Sequence, residues 1–239
     1  MHDAIRRYSV IAAIALASAS AFGVDPPDLC VSTLSGLIET VDATWSGNNF
    51  NVRCTETTST GQQVSSTLVT TNAANDVDPR VAIAPSGDVL VVWWRDLTKD
   101  ALVYRKRSLA TGIWGPERVA GATSEGNSHP RVAYDGDTSW VAYEIQNSKS
   151  RSIGAQIIDD DPEPFRTIVA TSTRVSDLDI RLNTEAKHLW VSWIDNGWRV
   201  GWAEYNHQKQ YWSVPVYEPY DEDSVAAARS RIRNYVLGP

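Results

Sequence analysis

The sequence predicts an all-β protein, a small β-propeller of about four four-stranded blade-like repeats of roughly 50 residues each, with a C-terminal helix. Three observations predict it. Leu90-Val91-Val92-Trp93 returns fifty residues on as Trp140-Val141-Ala142-Tyr143 and fifty further as Trp190-Val191-Ser192-Trp193. A fainter copy, Asp42-Ala43-Thr44-Trp45, lies forty-eight residues upstream. Each copy sits among four strand-like segments separated by turn residues. Ten Trp and nine Tyr against three Phe and one Met suit pleated, half-buried surfaces with polar atoms left for a rim. The alternative is a two-sheet sandwich with evenly spaced strands, which does not require aligned aromatics at a fixed period.

Residues 1–21 read as a secretory signal. Arg6 and Arg7 form a positive start, Val10 to Ala17 an apolar stretch too short to span a bilayer, and Ala19-Ser20-Ala21 or Ala17-Ser18-Ala19 a small-residue cleavage pattern. An uncleaved anchor is the alternative. The repeat domain then covers 22–222. In the first copy Asp28 to Val31 is strand A, Ile38 to Trp45 is B, Phe50 to Thr57 is C and Val64 to Thr70 is D. In the second, A is Asp78 to Ile83, B is Val89 to Trp94, C is Ala101 to Arg105 and D is Trp114 to Val119. The unbroken apolar run of B indicates an inner strand, and Pro116 marks D as an edge. The third copy runs His129 to Tyr134, Ser139 to Ile145, Ser152 to Ile157 and Phe165 to Ala170. The fourth runs Leu178 to Leu182, His188 to Ile194, Arg199 to Tyr205 and Trp212 to Tyr217.

Residues 223–239 end the chain differently. Asp223 or Ser224 can cap a helix, Val225, Ala228, Ile232 and Val236 fall on one of its faces, and Gly238 can close it. A further strand A beginning near Val225 is the competing reading. Cys30 and Cys54 are the only cysteines. After an export signal, a single Cys30–Cys54 disulfide is expected, bridging strands A and C of the first copy near their common end.

Pro-Arg-Val-Ala, then Gly, then Val-x-Trp, then Trp with Pro two residues on, resembles the degenerate repeats of sialidase-like propellers. It also resembles fucose-lectin-type propellers. The likeness spans about residues 28–217 as repeat rhythm. The sialidase Asp-box, Ser/Thr-x-Asp-x-Gly-x-x-Trp, is not intact; Asp135-Gly136-Asp137-Thr138-Ser139-Trp140 echoes its tail. The resemblance implies a β-propeller and a carbohydrate ligand or substrate. The missing box and the room for only about four blades weigh against sialidase activity itself.

Antiparallel strands put the B–C loops and the D-to-A connections on one face of each copy. That face collects the candidate ligand-binding residues Arg95, Asp96, Glu144, Asp195 and Trp198. Asp96, Glu144 and Asp195 follow strand B in successive copies and are weak catalytic candidates, because paired carboxylates serve glycoside hydrolysis when correctly spaced. Polar residues also simply end a buried strand at the solvent boundary. Trp198, after Asp195-Asn196-Gly197, reads as a sugar-stacking platform or as a ring folded back on the domain. The opposite face collects Asp159-Asp160-Asp161, Glu163 and the loop from Asn206 to Lys209. The acidic run lacks the ligand spacing of a calcium loop, and no cofactor is expected: HExxH, GxSxG and Gly-rich phosphate-loop patterns do not occur.

A net charge of −7 without a basic stripe argues against nucleic acid and anionic membrane surfaces. No stretch after the signal is long and apolar enough to cross a membrane. The expected protein is therefore a secreted or periplasmic, non-enzymatic binding domain for carbohydrate or protein. The alternatives are a glycosidase using the B–C face, and a structural module that completes a ring by oligomerising.

Overall fold

The computed structural model describes residues 28–31, 34–96, 100–120, 126–136, 138–146, 151–158, 166–171, 175–183, 188–195, 199–208 and 210–219. All regular structure among them is β. The chain divides into two compact units, Met1–Ala120 and Gly121–Pro239.

The first unit has two sheets. One runs β1 (Asp28–Val31), β2 (Ile38–Trp45), β3 (Phe50–Thr57), β4 (Gln63–Leu68). The other runs β5 (Asn75–Ile83), β6 (Val89–Asp96), β7 (Ala101–Arg107), β8 (Arg118–Ala120). The second unit repeats the plan with β9 (Gly126–Asp135), β10 (Thr138–Gln146), β11 (Arg151–Ile157) and β12 (Arg166–Thr171). Its other sheet holds β13 (Val175–Asn183), β14 (His188–Asp195), β15 (Arg199–Asn206), β16 (Tyr211–Trp212) and β17 (Val216–Pro219). Every pairing is antiparallel and joins neighbours in sequence, except that β17 returns to pair with β15 beyond β16. Sheets built as sequential meanders decide against the sandwich, whose Greek keys place non-consecutive strands side by side.

Strand phase follows from burial. Trp93, Tyr143 and Trp193 are equivalent and among the most buried side chains, as their shared place in the repeat predicts. Trp93 packs with Val81, Val91 and Val103 in a core made within the first unit. Trp193 packs with Leu178, Val191 and Ala203 in the second. Trp45 breaks the series: it ends β2 and is 56% exposed, so the faintest copy keeps the rhythm and loses the burial.

Strand A is longer than the sequence reading has it, because it runs through a bulge. In β5 the register slips between Val77 and Arg80, and in β9 the slip lies opposite Ala142 and Glu144. One extra residue on the A side is a β-bulge. Asp78 and His129 occupy it with φ of 49° and 53°, each directly before a proline. Arg80 Nη1 donates to the Pro79 carbonyl at 2.8 Å, and Arg131 Nη1 to that of Pro130 at 2.7 Å. The Pro-Arg repeat thus reads in space as a bulge pinned by its own arginine. A third slip lies between Ser176 and Asp179 of β13.

Strand D departs most. Only Arg118–Ala120 form a strand in the second sheet, with an isolated bridge at Trp114. Arg105 holds the stretch before it, donating to the Gly115 carbonyl at 2.7 Å, and also reaches the Val69 carbonyl just after β4 at 2.6 Å. In the fourth sheet strand D is broken into β16 and β17.

The expected disulfide does not form: Cys30 and Cys54 are free thiols. Cys30 lies opposite Glu39 across β1 and β2, and Cys54 opposite Val41 across β2 and β3. Strand β2 therefore runs between them. Two inter-strand steps separate the chains by about 9.5 Å, beyond the ~7 Å that a disulfide spans between Cα atoms. The expected signal at 1–21 and helix at 223–239 lie outside the described residues.

Candidate functional site

In the first unit, the end that carries the β2–β3 loop and the β4–β5 connection is a polar lattice. Ser46 Oγ donates to Asn49 Oδ1 at 2.9 Å, and Asn51 Nδ2 to Ser46 Oγ at 2.9 Å. Asn49 Nδ2 reaches the carbonyls of Asn72 and Ala74, both at 2.8 Å. Asn49 and Asn51 are buried, so each such bond satisfies a group that would otherwise be costly to desolvate. Beside this lattice stands Trp45, edge-on to Phe50 with ring centroids 5.0 Å apart. Trp45 presents an open apolar ring on a fixed backbone.

Arg95 lies at the same end and is fully engaged. Its Nε and Nη2 donate to the two oxygens of Asp76 at 2.6 and 3.1 Å, and its Nη1 to Glu117 at 3.0 Å. Asp76 has no exposed surface and also accepts from Trp93 Nε1 at 2.9 Å and Asn72 Nδ2 at 2.7 Å. Each of its oxygens thereby accepts two hydrogen bonds. Asp78, in the bulge, pairs with Arg80. Asp96, one residue past Arg95, is exposed.

The opposite end of this unit holds a cluster that the sequence reading did not find. Glu39 and Glu56 face each other directly across β2 and β3. Arg107 bridges them, with Nη2 at 2.5 Å from Glu39 and 2.9 Å from Glu56. Cys54 Sγ donates to Glu39 at 3.2 Å, and Ser65 Oγ donates to Glu56. Burial lifts the Glu39 carboxyl above its ordinary value, outweighing the pull of Cys54 and Arg107. Burial also works to lift Glu56, but Ser65, the Glu39 carboxyl and Arg107 outweigh it and hold Glu56 low. The two facing carboxyls are thereby pushed apart, Glu39 upward and Glu56 downward. Burial, then Glu39, raises the Cys54 thiol far beyond its usual range, which makes it inert.

In the second unit Glu144 is buried. Arg151 Nη1 donates to it at 3.2 Å, and His129 Nδ1 lies 3.7 Å from its other oxygen. Burial raises this carboxyl, against the pull of His129, Arg151 and Arg131. Asp195 is likewise buried and pairs with Arg199 across β14 and β15. Its second oxygen has no hydrogen-bond partner among the described residues. The Arg199 guanidinium lies over the Tyr217 ring at 4.4 Å, and burial followed by the Asp195 charge raises the Tyr217 hydroxyl. At the other end of the unit, in the Asn206 to Lys209 loop, His207 Nε2 lies 3.1 Å from Asp135. Trp198 and Asp159 to Asp161 lie outside the described residues.

The three carboxylates chosen from sequence do not share a phase. Counted from the equivalent aromatics Trp93, Tyr143 and Trp193, Asp96 stands three residues on, Glu144 one and Asp195 two. Side chains alternate along a strand, so Asp195 shares its aromatic's side of the sheet while Asp96 and Glu144 point to the other. Trp45 could have been found by the signal that picked Trp198, an aromatic flanked by small polar residues. The Glu39–Glu56–Arg107 cluster carries no local signal, since its members come from three separate strands.

Among solved structures, the chain is similar to a GH93 α-L-arabinofuranosidase of Fusarium graminearum in complex with arabinobiose. The TM-score is 0.59 at 10% identity, covering 83% of this chain and 66% of that one. It is also similar to a candidate exo-β-1,3-galactanase from Bifidobacterium bifidum, with TM-score 0.50 at 13% identity over 80% of this chain and 69% of that one. A Trypanosoma rangeli sialidase aligns over 78% of this chain and 37% of its own, at 11% identity and TM-score 0.49. The first two likenesses show the fold, an all-β chain of the β-propeller class that the repeat rhythm implies. The chain spans about two thirds of the length of the arabinofuranosidase. No family model matches the chain, and no curated protein matches it.

Proposed function

We propose that the protein is an exported carbohydrate-binding module that engages its ligand without turning it over, its four sheets serving as the blades of a small propeller. The observation that carries this reading is Trp45, an exposed indole braced by Phe50 at the edge of a satisfied Ser/Asn lattice. A flat aromatic on a rigid support is what a sugar ring stacks on, because its C–H face is apolar and its hydroxyls reach flanking amides. The glycosidases that share the fold act on polysaccharide linkages by their names, which supports a carbohydrate as ligand.

The hydrolase alternative asks more of the carboxylates. An acid and a base must reach one glycosidic bond from about 5 to 9.5 Å apart. Glu144 and Asp195 are buried and engaged by arginines, and Asp195 is out of phase with both Glu144 and Asp96. A glycan array probed with the purified chain tests the reading. Binding to a defined set of glycans, lost in Trp45→Ala with thermal stability unchanged, is the expected result. An array without signal overturns it.

A further inference from the structure

The bulge of β9 differs from that of β5 at two neighbouring positions. In the first unit the bulge residue Asp78 is buried and pairs with Arg80, while Trp94 of β6 pairs with Val77, the residue just before the bulge. In the second, the bulge residue is His129 and the position matching Trp94 is Glu144. The acid beside the pinned arginine has thus moved from the bulge to the neighbouring strand. Arg131 keeps the bond to the preceding proline carbonyl that Arg80 makes, and its charge acts on Glu144.

The move leaves the bulge position free to point outward. The Asp78 side chain is 4% exposed, and the His129 side chain is 50% exposed. His129 Nδ1 lies 3.1 Å from Ser128 Oγ and 3.7 Å from the buried Glu144 carboxyl. Arg151 fixes that carboxyl from β11. The backbone at His129 stays left-handed at φ 53° before a proline, a conformation that persists only where the surroundings enforce it. An imidazole with Nδ1 turned to a carboxylate and a hydroxyl offers Nε2 as its outward atom.

We infer that His129 is a ligand-contacting residue of a saccharide subsite in the second unit, with Nε2 accepting a hydrogen bond from a sugar hydroxyl and Glu144 acting as its positioning residue. This rests on the carbohydrate reading but not on Trp45, which belongs to the other unit. Bulges commonly re-aim one side chain beside a binding site, and here the re-aimed side chain is the one whose partner changed with it.

The test uses the full chain, with arabinobiose and β-1,3-galactobiose as probes in calorimetric titration and in ¹⁵N NMR of the histidine rings. Wild type is expected to bind at least one probe, with the His129 ring nitrogens shifting at saturation. His129→Ala should weaken that binding tenfold or more. His129→Asn, which tolerates the left-handed backbone, should weaken it equally and melt with wild type. Glu144→Gln should change the tautomer balance of His129 in the free protein, which a merely structural role would not do, and weaken the probe several-fold. Unchanged affinity in both His129 variants, unmoved ring nitrogens, or failure of both probes overturns the subsite. An empty glycan array overturns the carbohydrate reading itself, so the two failures are told apart.

Discussion

Glu39 is a buried acid whose neighbours make opposite demands on it. Its folded value lies above the ordinary 4.5, so its contribution to stability is complete below about pH 4.5 and is lost as pH rises through that folded value. Glu56 is held below 4.5. Its contribution is complete above about pH 4.5 and is lost as pH falls through its lowered folded value. Glu39→Gln keeps an acceptor for Cys54 and cannot ionise. It should remove the decline in stability on the alkaline side and leave the acid-side decline in place. Urea unfolding from about pH 4 to 8 reads this, and a variant whose pH slope tracks wild type above about pH 5 rejects it. The cysteines give a second test at this scale. Both are free, so unreduced protein unfolded in guanidinium should titrate two thiols. In the native state Cys54, buried and with its thiol raised, should react far more slowly than an exposed cysteine. None of these roles was legible in the sequence. Glu39 and Arg107 stand 68 residues apart and Asp76 and Arg95 stand 19 apart, and such pairs leave no periodic trace.

At the scale of the element, strand identity was legible because it rests on short-range pattern. The first three strands begin and end where alternation and turn residues put them. Bulges were not legible, since one extra residue in strand A alters neither composition nor polarity; Asp78 and His129 read as strand starts when they are strand interiors. Strand D was the least legible, because an edge strand needs no apolar run and can be held by side-chain bonds such as those of Arg105. Inner strands carry the stability. Gly201 of β15 lies beneath Trp193, and a Cβ there would stand 2.6 Å from the ring's Cζ2 and Nε1. The ring is buried. Gly201→Ala should therefore cost about 1–3 kcal/mol by overpacking, and Trp93→Ala in β6 about 3–5 kcal/mol by leaving a cavity. Denaturant midpoints measure both, and a Gly201→Ala variant as stable as wild type would show that the Trp193 ring can shift. In hydrogen exchange, β6, β7, β14 and β15 should outlast the three-residue edge strand β8.

For the molecule as a whole, period and composition made the fold class legible. Function was less so, because one fold hosts many activities and function resides in the side chains placed on it. At 10% identity to an arabinofuranosidase, the carboxylates of this chain have to be judged where they stand. Two of the three sequence candidates are buried and paired, and the third is exposed at a strand end. Glu39 and Glu56 come nearest to a working pair in chemistry, one raised and one lowered, but they face each other across neighbouring strands and share Arg107. Cross-strand neighbours on adjacent strands bring side chains to about 5 Å, the spacing of a retaining pair. With the Glu39 side chain only 3% exposed, however, a glycosidic oxygen cannot enter between them. The chain should therefore release no aryl leaving group from α-L-arabinofuranosides or β-D-galactosides above the buffer rate. Asp96→Asn and Glu39→Gln should leave binding on the glycan array unchanged. Turnover that Glu39→Gln abolishes while binding persists would reverse this assignment, and would locate the chemistry at the end of the first unit opposite Trp45.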